Sequence, residues 1–375
     1  MLRIGLFGGA FDPVHEMHVK AAVAAVKQLN LDKLIVVPTN ISPHKNVTPA
    51  PKEDRLNMLR IAFEDVGKAE ISDFEIMREG KSFSFITAEH FKDEYKDAEM
   101  FMIVGLDMLK DFFTWKNPER ILSSCTLAAF LRDGYFADET LEDKFRRVFK
   151  KDYVKISFSG ENVSSSEIRA YLNFGLTPSG VNEKVLAYIR ENGLYPPDGY
   201  SLYVKNALPE KRLIHTANVV ACALSKAKEL DLDAEKVRIA ATLHDCAKYD
   251  DAEKYKDFTL PKDVPPPVRH AFLGAYVAEH VLGVTDTEIL DAIRYHTSGK
   301  AGMTKLSQLI FVADMVERGR TYPEVTYLRE LFEKDFDECF KRCLEEEVKH
   351  LISGKKYIYR ETLSAYEYYV ADGKI

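Results

Sequence analysis

Two sets of residues in this 375-residue chain are of types and spacings that do chemistry. The first is the unbroken stretch Gly8-Gly9-Ala10-Phe11-Asp12-Pro13-Val14-His15-Glu16-Met17-His18. Paired glycines let a backbone approach a bulky anion. A helix start offers unpaired N–H groups and a positive dipole end, and histidines three apart face the same bound group. Together these describe a phosphate cradle. The second set is dispersed and ordered: His215, His244-Asp245, His270, His296 and Asp314. Imidazole nitrogens and carboxylate oxygens suit a divalent ion such as Fe, Mn or Zn. No cysteine joins the set, so the ion is expected to be catalytic, generating hydroxide, rather than structural zinc. Each part has a plain alternative: Gly-Gly after a strand is often only a turn, and an adjacent His-Asp pair arises by chance. The full order is much rarer than its parts. His280 and His350, outside it, read as satisfied core histidines.

Weaker candidates sit where strands are expected to end: Lys45, then Asp107 and Trp115, then Arg132. A lysine in a loop is usually just solvated, and Trp115 by itself reads as packing. Val163-Ser164-Ser165-Ser166-Glu167-Ile168-Arg169 offers hydroxyls, helix-start N–H groups and a guanidinium, which is either an anion site or a plain cap. Ser165 or Ser166 is expected to cap a helix beginning at Glu167.

The elements that must carry these residues follow from the apolar pattern. Ile4 to Phe7, Leu34 to Pro38, Ala69 to Ile71, Met100 to Val104 and Leu127 to Leu131 read as strands. Helices are expected at about His18 to Asn30, from Pro51, and over Ser82 to Tyr95. This alternation implies a parallel sheet with helices on both faces. The sites then lie at the carboxyl ends of strands, where open α/β sheets bind ligands. Asp133 to Lys151 reads as a solvated helix and loop. Tyr195-Pro196-Pro197-Asp198-Gly199-Tyr200 reads as a short stiff linker. Beyond it, only helices are expected. They run from Pro209 to Leu230, from an Asp233 cap to His244-Asp245, through His270, from a capping box at Thr285-Asp286-Thr287-Glu288 to His296, and from about Thr304 to Arg318.

Composition bounds the rest. Length alone favours two domains, and 46% hydrophobic with 30% charged residues is ordinary for a globular protein. A net charge of -7 argues against nonspecific nucleic-acid binding, and no basic stripe supports it. The five cysteines, Cys125, Cys222, Cys246, Cys339 and Cys343, lack a zinc-type pair and suggest a reducing cytoplasm. Met1-Leu2-Arg3 runs straight into the first strand, which leaves no room for a signal peptide. No apolar run approaches transmembrane length, so no membrane partner is expected. A homo-oligomer stays open.

The opening stretch resembles the G-x-F-D-P-x-H-x-G-H signature of the nucleotidylyltransferase superfamily, with Met17 in place of the glycine between the histidines. A side chain there is expected to crowd the phosphates. Over roughly residues 1 to 196 the chain is similar to bacterial nicotinate-nucleotide adenylyltransferase. The matching stretches are Pro43-His44-Lys45, Arg55 with Met58, Ser82-Phe83-Ser84, Gly105-Leu106-Asp107, Phe113-Thr114-Trp115 and Ser164 to Arg169, with Val185 to Ile189 and Leu194-Tyr195 at the end. Phe83-Ser84 stands where that family has Tyr-Thr. The resemblance implies transfer of AMP from ATP to nicotinate mononucleotide. His15, His18, Lys45, Ser165 and Arg169 would hold the triphosphate with Mg²⁺. Ser82, Ser84, Asp107 and Trp115 would lie near the pyridine nucleotide. Gly8, Gly9, Phe11, Gly105, Arg132 and Ser166 complete the implied nucleotide-binding set.

The later set resembles the HD-domain metal-dependent phosphohydrolases. More closely, it is similar to the bacterial family that hydrolyses diadenosine tetraphosphate symmetrically. The residues that carry this are Arg212 to His215, Leu243 to Lys248, Arg269-His270, Ile293 to Thr297 and Val312 to Asp314. That resemblance implies that His215, His244, Asp245 and Asp314 bind the metal, with iron expected. Arg212, Lys248, His270 and His296 would contact phosphates, and the last two could complete a second metal position. The chain therefore reads as an α/β doubly wound parallel sheet, nucleotidylyltransferase and Rossmann-like, over 1–196, followed by an all-α HD-domain over 197–375. The alternative is another adenylyltransferase, with a nicotinamide mononucleotide or phosphopantetheine acceptor, fused to a regulatory nucleotide-binding HD module.

Overall fold

Apolar runs without alternation form strands covered on both faces, and such runs build the centre of the first half. The structure, a computed structural model, describes residues 1–40, 50–132, 139–160 and 163–371. It divides into two compact units, Met1–Ser165 with Ser179–Tyr195, and Ser166–Pro178 with Pro196–Ile375.

In the first unit the strands are β1 (Arg3–Gly9), β2 (Lys33–Pro38), β3 (Ala69–Ile71), β4 (Glu99–Val104), β5 (Thr126–Arg132) and β6 (Val154–Phe158). They form one parallel sheet in the order β3-β2-β1-β4-β5-β6. Its helices are α1 (Glu16–Gln28), α2 (Lys52–Ala62), α3 (Ser84–Glu94), α4 (Leu106–Asp111), α5 (Pro118–Ser124) and α6 (Glu139–Phe149). After α7 (Ser165–Asn173), which falls almost wholly in the second unit, α8 (Glu183–Glu191) completes the first. Strand order reverses between β1 and β4, so their carboxyl ends flank the crevice where such sheets bind ligands. Alternate residues Ile4, Leu6, Met100, Met102, Leu127 and Ala129 share one apolar face with Phe85, Phe91, Ile121 and Phe145. On the other face Gly5 is required by packing, because a Cβ there would lie 2.6 Å from Leu31 Cδ1 and 2.8 Å from Ile103 Cδ1.

Several sequence expectations are corrected here. Helix α1 starts at Glu16 with His15 as its N-cap, not at His18. Gly8 and Gly9 belong to β1, and the turn residue with positive φ is Phe11, at 48°. Helix α7 starts at Ser165 rather than Glu167. The stretch read as solvated holds α6, whose Phe145 is fully buried against Phe112, Phe149 and Tyr153. A helix is expected there, but widely spaced apolar residues among charges hide its buried face. The sequence reading also has no strand at β6, where Val154, Ile156 and Phe158 alternate with Lys155 and Ser157 at the sheet edge.

The second unit is helical: α7, α9 (Gly199–Ala207), α10 (Glu210–Ala227), α11 (Ala234–Leu243), α12 (Pro266–His280), α13 (Thr287–Tyr295), α14 (Lys305–Val316), α15 (Val325–Lys334), α16 (Phe336–Ser353) and α17 (Arg360–Tyr369). Helix α14 is buried around nearly its whole circumference, as its unbroken apolar run Leu309 to Ala313 requires. It packs against α10, α13 and α16. Asp198 caps α9 by accepting from Ser201 N at 2.7 Å, so helix begins inside the expected linker. Asp286, not Thr285, caps α13. His280 and His350 are exposed rather than core residues. Among the described residues no helix is long and apolar enough to cross a membrane.

Candidate functional site

The first site grows from the carboxyl end of β1. The chain leaves the strand at Gly9 and turns through Phe11, whose buried ring packs edge-on against Phe7 at 5.6 Å and His18 at 5.0 Å. His15 and His18 then stack at 3.7 Å, and His18 Nδ1 accepts from His15 N at 3.2 Å. Burial lowers the His15 pKa to about 4, so it stands neutral at the N-terminus of α1. Ser165 Oγ donates to Pro13 O at 3.0 Å, which brings a second predicted anion contact to the same turn. A Cβ on Gly8 would meet only Val37 O, at 3.9 Å, which leaves an open ledge beside the strand end. Met17 is buried, and its Cε would lie 1.8 Å from a Cβ at Gly160. The extra side chain at the motif-glycine position is thus accommodated by a second glycine.

Arg55 pins the ends of β1 and β2 together, a role that sequence reading did not find. It is 1% exposed and donates to Ala10 O at 2.9 Å, Thr39 O at 2.7 Å and Ala50 O at 3.2 Å. A charged helix residue gives no sequence signal of such a role. At the end of β4, Gly105 is fixed by its neighbour, since a Cβ there would lie 2.6 Å from Asp107 Oδ1. Ser82 Oγ accepts from Asn40 N at 3.0 Å, and half-buried Ser84 opens α3. Trp115 is half-buried, tilted against Phe112 with centroids 5.2 Å apart. Arg132 ends β5. Lys45 lies outside the described residues. In α7, Arg169 Nη2 donates to Ser166 Oγ at 3.2 Å, and both fall in the second unit.

The second site lies where five helices of the helical unit meet. His215 comes from α10, His244 and Asp245 from the end of α11, His270 from α12, His296 from the end of α13 and Asp314 from α14. His215 Nε2 lies 3.4 Å from His244 Nε2 and 3.0 Å from Asp314 Oδ1. His270 Nε2 lies 3.2 Å from His296 Nε2 and 3.0 Å from Asp245 Oδ1. His244 approaches Asp245 Oδ2 at 3.7 Å, so the two carboxylate oxygens face two groups of imidazoles. The triplets His215, His244, Asp245 and Asp245, His270, His296 each have metal-ligating geometry.

Hydrogen bonds fix which nitrogens point inward. His244 Nδ1 contacts Ala241 O at 2.7 Å and His296 Nδ1 contacts Ile293 O at 2.7 Å. A carbonyl only accepts, so both Nδ1 atoms carry the proton and both Nε2 atoms present lone pairs. Asp245 Oδ1 is buried and receives no hydrogen bond of good geometry. Lone pairs converging on a buried carboxylate repel unless a cation sits among them, so these residues fit a bound divalent metal. Burial lowers the His244 pKa to about 3 and also lowers that of His270, which keeps both available as neutral ligands. For His215 burial acts downward but is outweighed by hydrogen bonds to Asp314 and Glu317, so its pKa rises. Burial likewise opposes ionisation of Asp314, yet the His215 hydrogen bond and the Arg320 charge hold its carboxyl well below the usual carboxylate range.

Cations ring this centre. Arg212 Nη1 lies 2.8 Å from Asp245 Oδ2, and Lys248 Nζ lies 3.5 Å from Asp245 Oδ1 and 3.1 Å from His270 Nε2. The sequence reading missed three neighbours. Glu317 is buried and faces His215 Nδ1 at 3.1 Å, Arg320 Nη2 lies 2.5 Å from Asp314 Oδ1, and Thr297 Oγ1 lies 3.0 Å from His296 Nε2. Glu317 and Arg320 follow Asp314 on or just beyond α14, and their spacing of three and six residues from it was the available signal.

A doubly wound sheet with a phosphate-type turn, followed by a helical His/Asp cluster, defines a nucleotidyl-transfer fold joined to a metal-dependent phosphohydrolase fold. The sequence matches the Cytidylyltransferase-like family over residues 6–171 and the HD domain over residues 212–319. It is 31% identical over 341 residues to the "Probable nicotinate-nucleotide adenylyltransferase/Ap4A hydrolase" of Mycoplasma pneumoniae, covering 88% of this chain and 94% of that protein. The chain belongs to this family of fused nicotinate-nucleotide adenylyltransferase/Ap4A hydrolases. Single-function relatives match each half. The "Probable nicotinate-nucleotide adenylyltransferase" of Clostridium tetani is 36% identical over 199 residues, 52% of this chain and all of that one. The "Bis(5'-nucleosyl)-tetraphosphatase, symmetrical" of Bacillus subtilis is 36% identical over 175 residues, 45% of this chain and 94% of that one.

Proposed function

We propose that this chain is a bifunctional enzyme of NAD biosynthesis and dinucleotide clearance. One half joins ATP and nicotinate mononucleotide to give nicotinate adenine dinucleotide and pyrophosphate. The other hydrolyses diadenosine tetraphosphate symmetrically to two ADP. The observation that carries the reading is the buried convergence of imidazole lone pairs on Asp245, which suits a metal-dependent phosphohydrolase.

In the transfer reaction a phosphate oxygen of the mononucleotide attacks the α-phosphorus of ATP, and pyrophosphate leaves. No general base is required, because the attacking phosphate is already an anion. The protein aligns the two and offsets charge. His15, His18, Lys45, Ser165 and Arg169 are assigned to the triphosphate, which Mg²⁺ accompanies. Ser82, Ser84, Asp107 and Trp115 are assigned to the acceptor side.

In the hydrolysis a water oxygen attacks an inner phosphorus, the bridging P–O bond breaks, and ADP leaves. His215, His244, Asp245 and Asp314 would hold one metal, with His270 and His296 able to complete a second position around Asp245. Bound there, the metal, for which iron is our assignment, lowers the pKa of water and polarises the phosphoryl oxygens. Arg212 and Lys248 bind the polyphosphate, while the Glu317 carboxylate orients His215. The free thiols of Cys125, Cys222, Cys246, Cys339 and Cys343 agree with a cytoplasmic site of action.

The test uses the intact protein with diadenosine tetraphosphate, with and without Fe²⁺, separating products by chromatography. ADP as sole product, dependent on metal and lost in His244→Ala, is expected. AMP with ATP would overturn symmetrical cleavage, and no turnover would overturn the hydrolase assignment. Comparing nicotinate mononucleotide, nicotinamide mononucleotide and phosphopantetheine as acceptors tests the transferase.

A further inference from the structure

The carboxylate behind His215 is itself held from behind. Glu317 faces His215 Nδ1 at 3.1 Å, and a hydrogen bond from Asn218 helps to lower its pKa. Gly319 leaves room for both groups, since a Cβ there would lie 3.0 Å from Glu317 Oε2 and 3.2 Å from Asn218 Nδ2. Asn218 Oδ1 in turn accepts from the Tyr171 hydroxyl at 2.8 Å, and Arg318 Nη2 donates to the Tyr171 oxygen at 3.2 Å. Tyr171, Asn218 and Glu317 are all buried. They come from α7, from α10 and from just beyond α14, and all three belong to the helical unit.

Each hydrogen bond in this row has one permitted direction. A guanidinium has no acceptor, so the Tyr171 oxygen accepts from Arg318 and its single proton goes to Asn218. An ionised carboxylate only accepts, so Asn218 presents its amide Nδ2 to Glu317, and His215 presents Nδ1–H. That leaves His215 Nε2 turned toward His244 Nε2 and Asp314 Oδ1, at 3.4 Å and 3.0 Å. Without the Tyr171 proton nothing holds the amide the right way round, and an amide oxygen turned toward the Glu317 carboxylate is repelled. Tyr171 is the last residue of the Cytidylyltransferase-like match and lies outside the HD match, which begins at residue 212.

We propose that Tyr171 and Asn218 are positioning residues of the metal centre, which through Glu317 hold His215 in the orientation that a metal ion needs. The proposal rests on the hydrolase reading. Outer partners of a metal-bound histidine fix its ring and raise its basicity, and here that support extends two residues beyond Glu317. A hydroxyl from the part of the chain that matches the transferase family thereby belongs to the hydrolase site.

The test measures Mn²⁺ binding to the full-length, metal-free protein, with the free ion read by electron paramagnetic resonance. Tyr171→Phe keeps the ring and removes only the hydroxyl. It is expected to weaken Mn²⁺ binding about 2–10-fold, the contribution of one hydrogen bond. Asn218→Leu removes the amide and should lose at least as much. Because Tyr171 acts through Glu317, Tyr171→Phe should cost nothing further in a Glu317→Ala background. Phe174→Leu trims the packing of the same segment without touching the row, and should lower the Tm while keeping the Mn²⁺ affinity. Unchanged affinity in Tyr171→Phe, an equal loss in Phe174→Leu, or full additivity with Glu317→Ala would overturn the proposal. A wild-type protein that binds Mn²⁺ but does not cleave diadenosine tetraphosphate would count against the hydrolase reading alone, and one that binds no Mn²⁺ would overturn both.

Discussion

Glu317 shows how much a single side chain can decide at the metal centre. Its carboxylate is 3% exposed, faces His215 Nδ1 at 3.1 Å and accepts from Gly319 N at 2.5 Å. Burial opposes its ionisation, but the His215 and Gly319 hydrogen bonds outweigh this and lower its pKa. A carboxylate so placed holds the imidazole ring in one orientation and raises its basicity toward a metal. Glu317→Ala is expected to weaken metal binding about 10–100-fold. Glu317→Gln, which can still accept from Nδ1, should recover most of that loss. Competition titration against a metal-sensitive dye reads this directly, and equal metal affinity in all three proteins would remove Glu317 from the site.

At the scale of elements, the start of α1 carries a pH dependence. An exposed unfolded His15 binds a proton near pH 6.5, but the buried folded one resists it until about pH 4. Between these values the unfolded state holds more protons, so this residue's contribution is complete above pH 6.5 and is lost as the pH falls toward 4. The slope is at most about 1.4 kcal/mol per pH unit. Denaturant midpoints of wild type and His15→Gln should therefore converge as the pH is lowered from 6.5 toward 4. Parallel curves would mean that His15 is protonated in the folded state. The strand ends show another effect of element packing. Arg55 lies on α2, yet its buried guanidinium satisfies carbonyls after both β1 and β2, and so sets the floor from which His15 projects.

For the whole molecule, the division into units does not follow the family boundaries. The Cytidylyltransferase-like match ends at residue 171, yet Ala170 and Tyr171 of α7, with Phe174 just beyond it, join the core of the helical unit. Tyr171 also donates to Asn218 Oδ1 at 2.8 Å, and Arg318 pairs with Glu167. A chain ended at Pro196 would expose that face, at a cost of about 1.5–3 kcal/mol for each large side chain. Such a fragment is expected to be less soluble than the full chain and to lose protection in α7, read by amide hydrogen exchange. Unchanged protection of α7 in the fragment would show that the helix needs no support from the helical core.

The sequence by itself determined what is local to the chain. The β1 turn with its two histidines, the strands from Leu34 to Pro38 and from Met100 to Val104, and the ordered histidines and aspartates could all be read from it, because each is a short run or a set of distinctive residue types. Tertiary structure alone decided what depends on several elements meeting. Which imidazole nitrogens converge on Asp245 is set by the packing of α10 to α14 and by the carbonyls that hold the opposite nitrogens. The roles of Glu317, Thr297 and Arg55 stayed hidden because a charged or hydroxyl residue on or just beyond a helix looks solvated until its surroundings are known. Phe145 and α7 were misjudged for the converse reason. A few apolar residues among charged neighbours carry little local signal, and only the core that receives them shows which way they face.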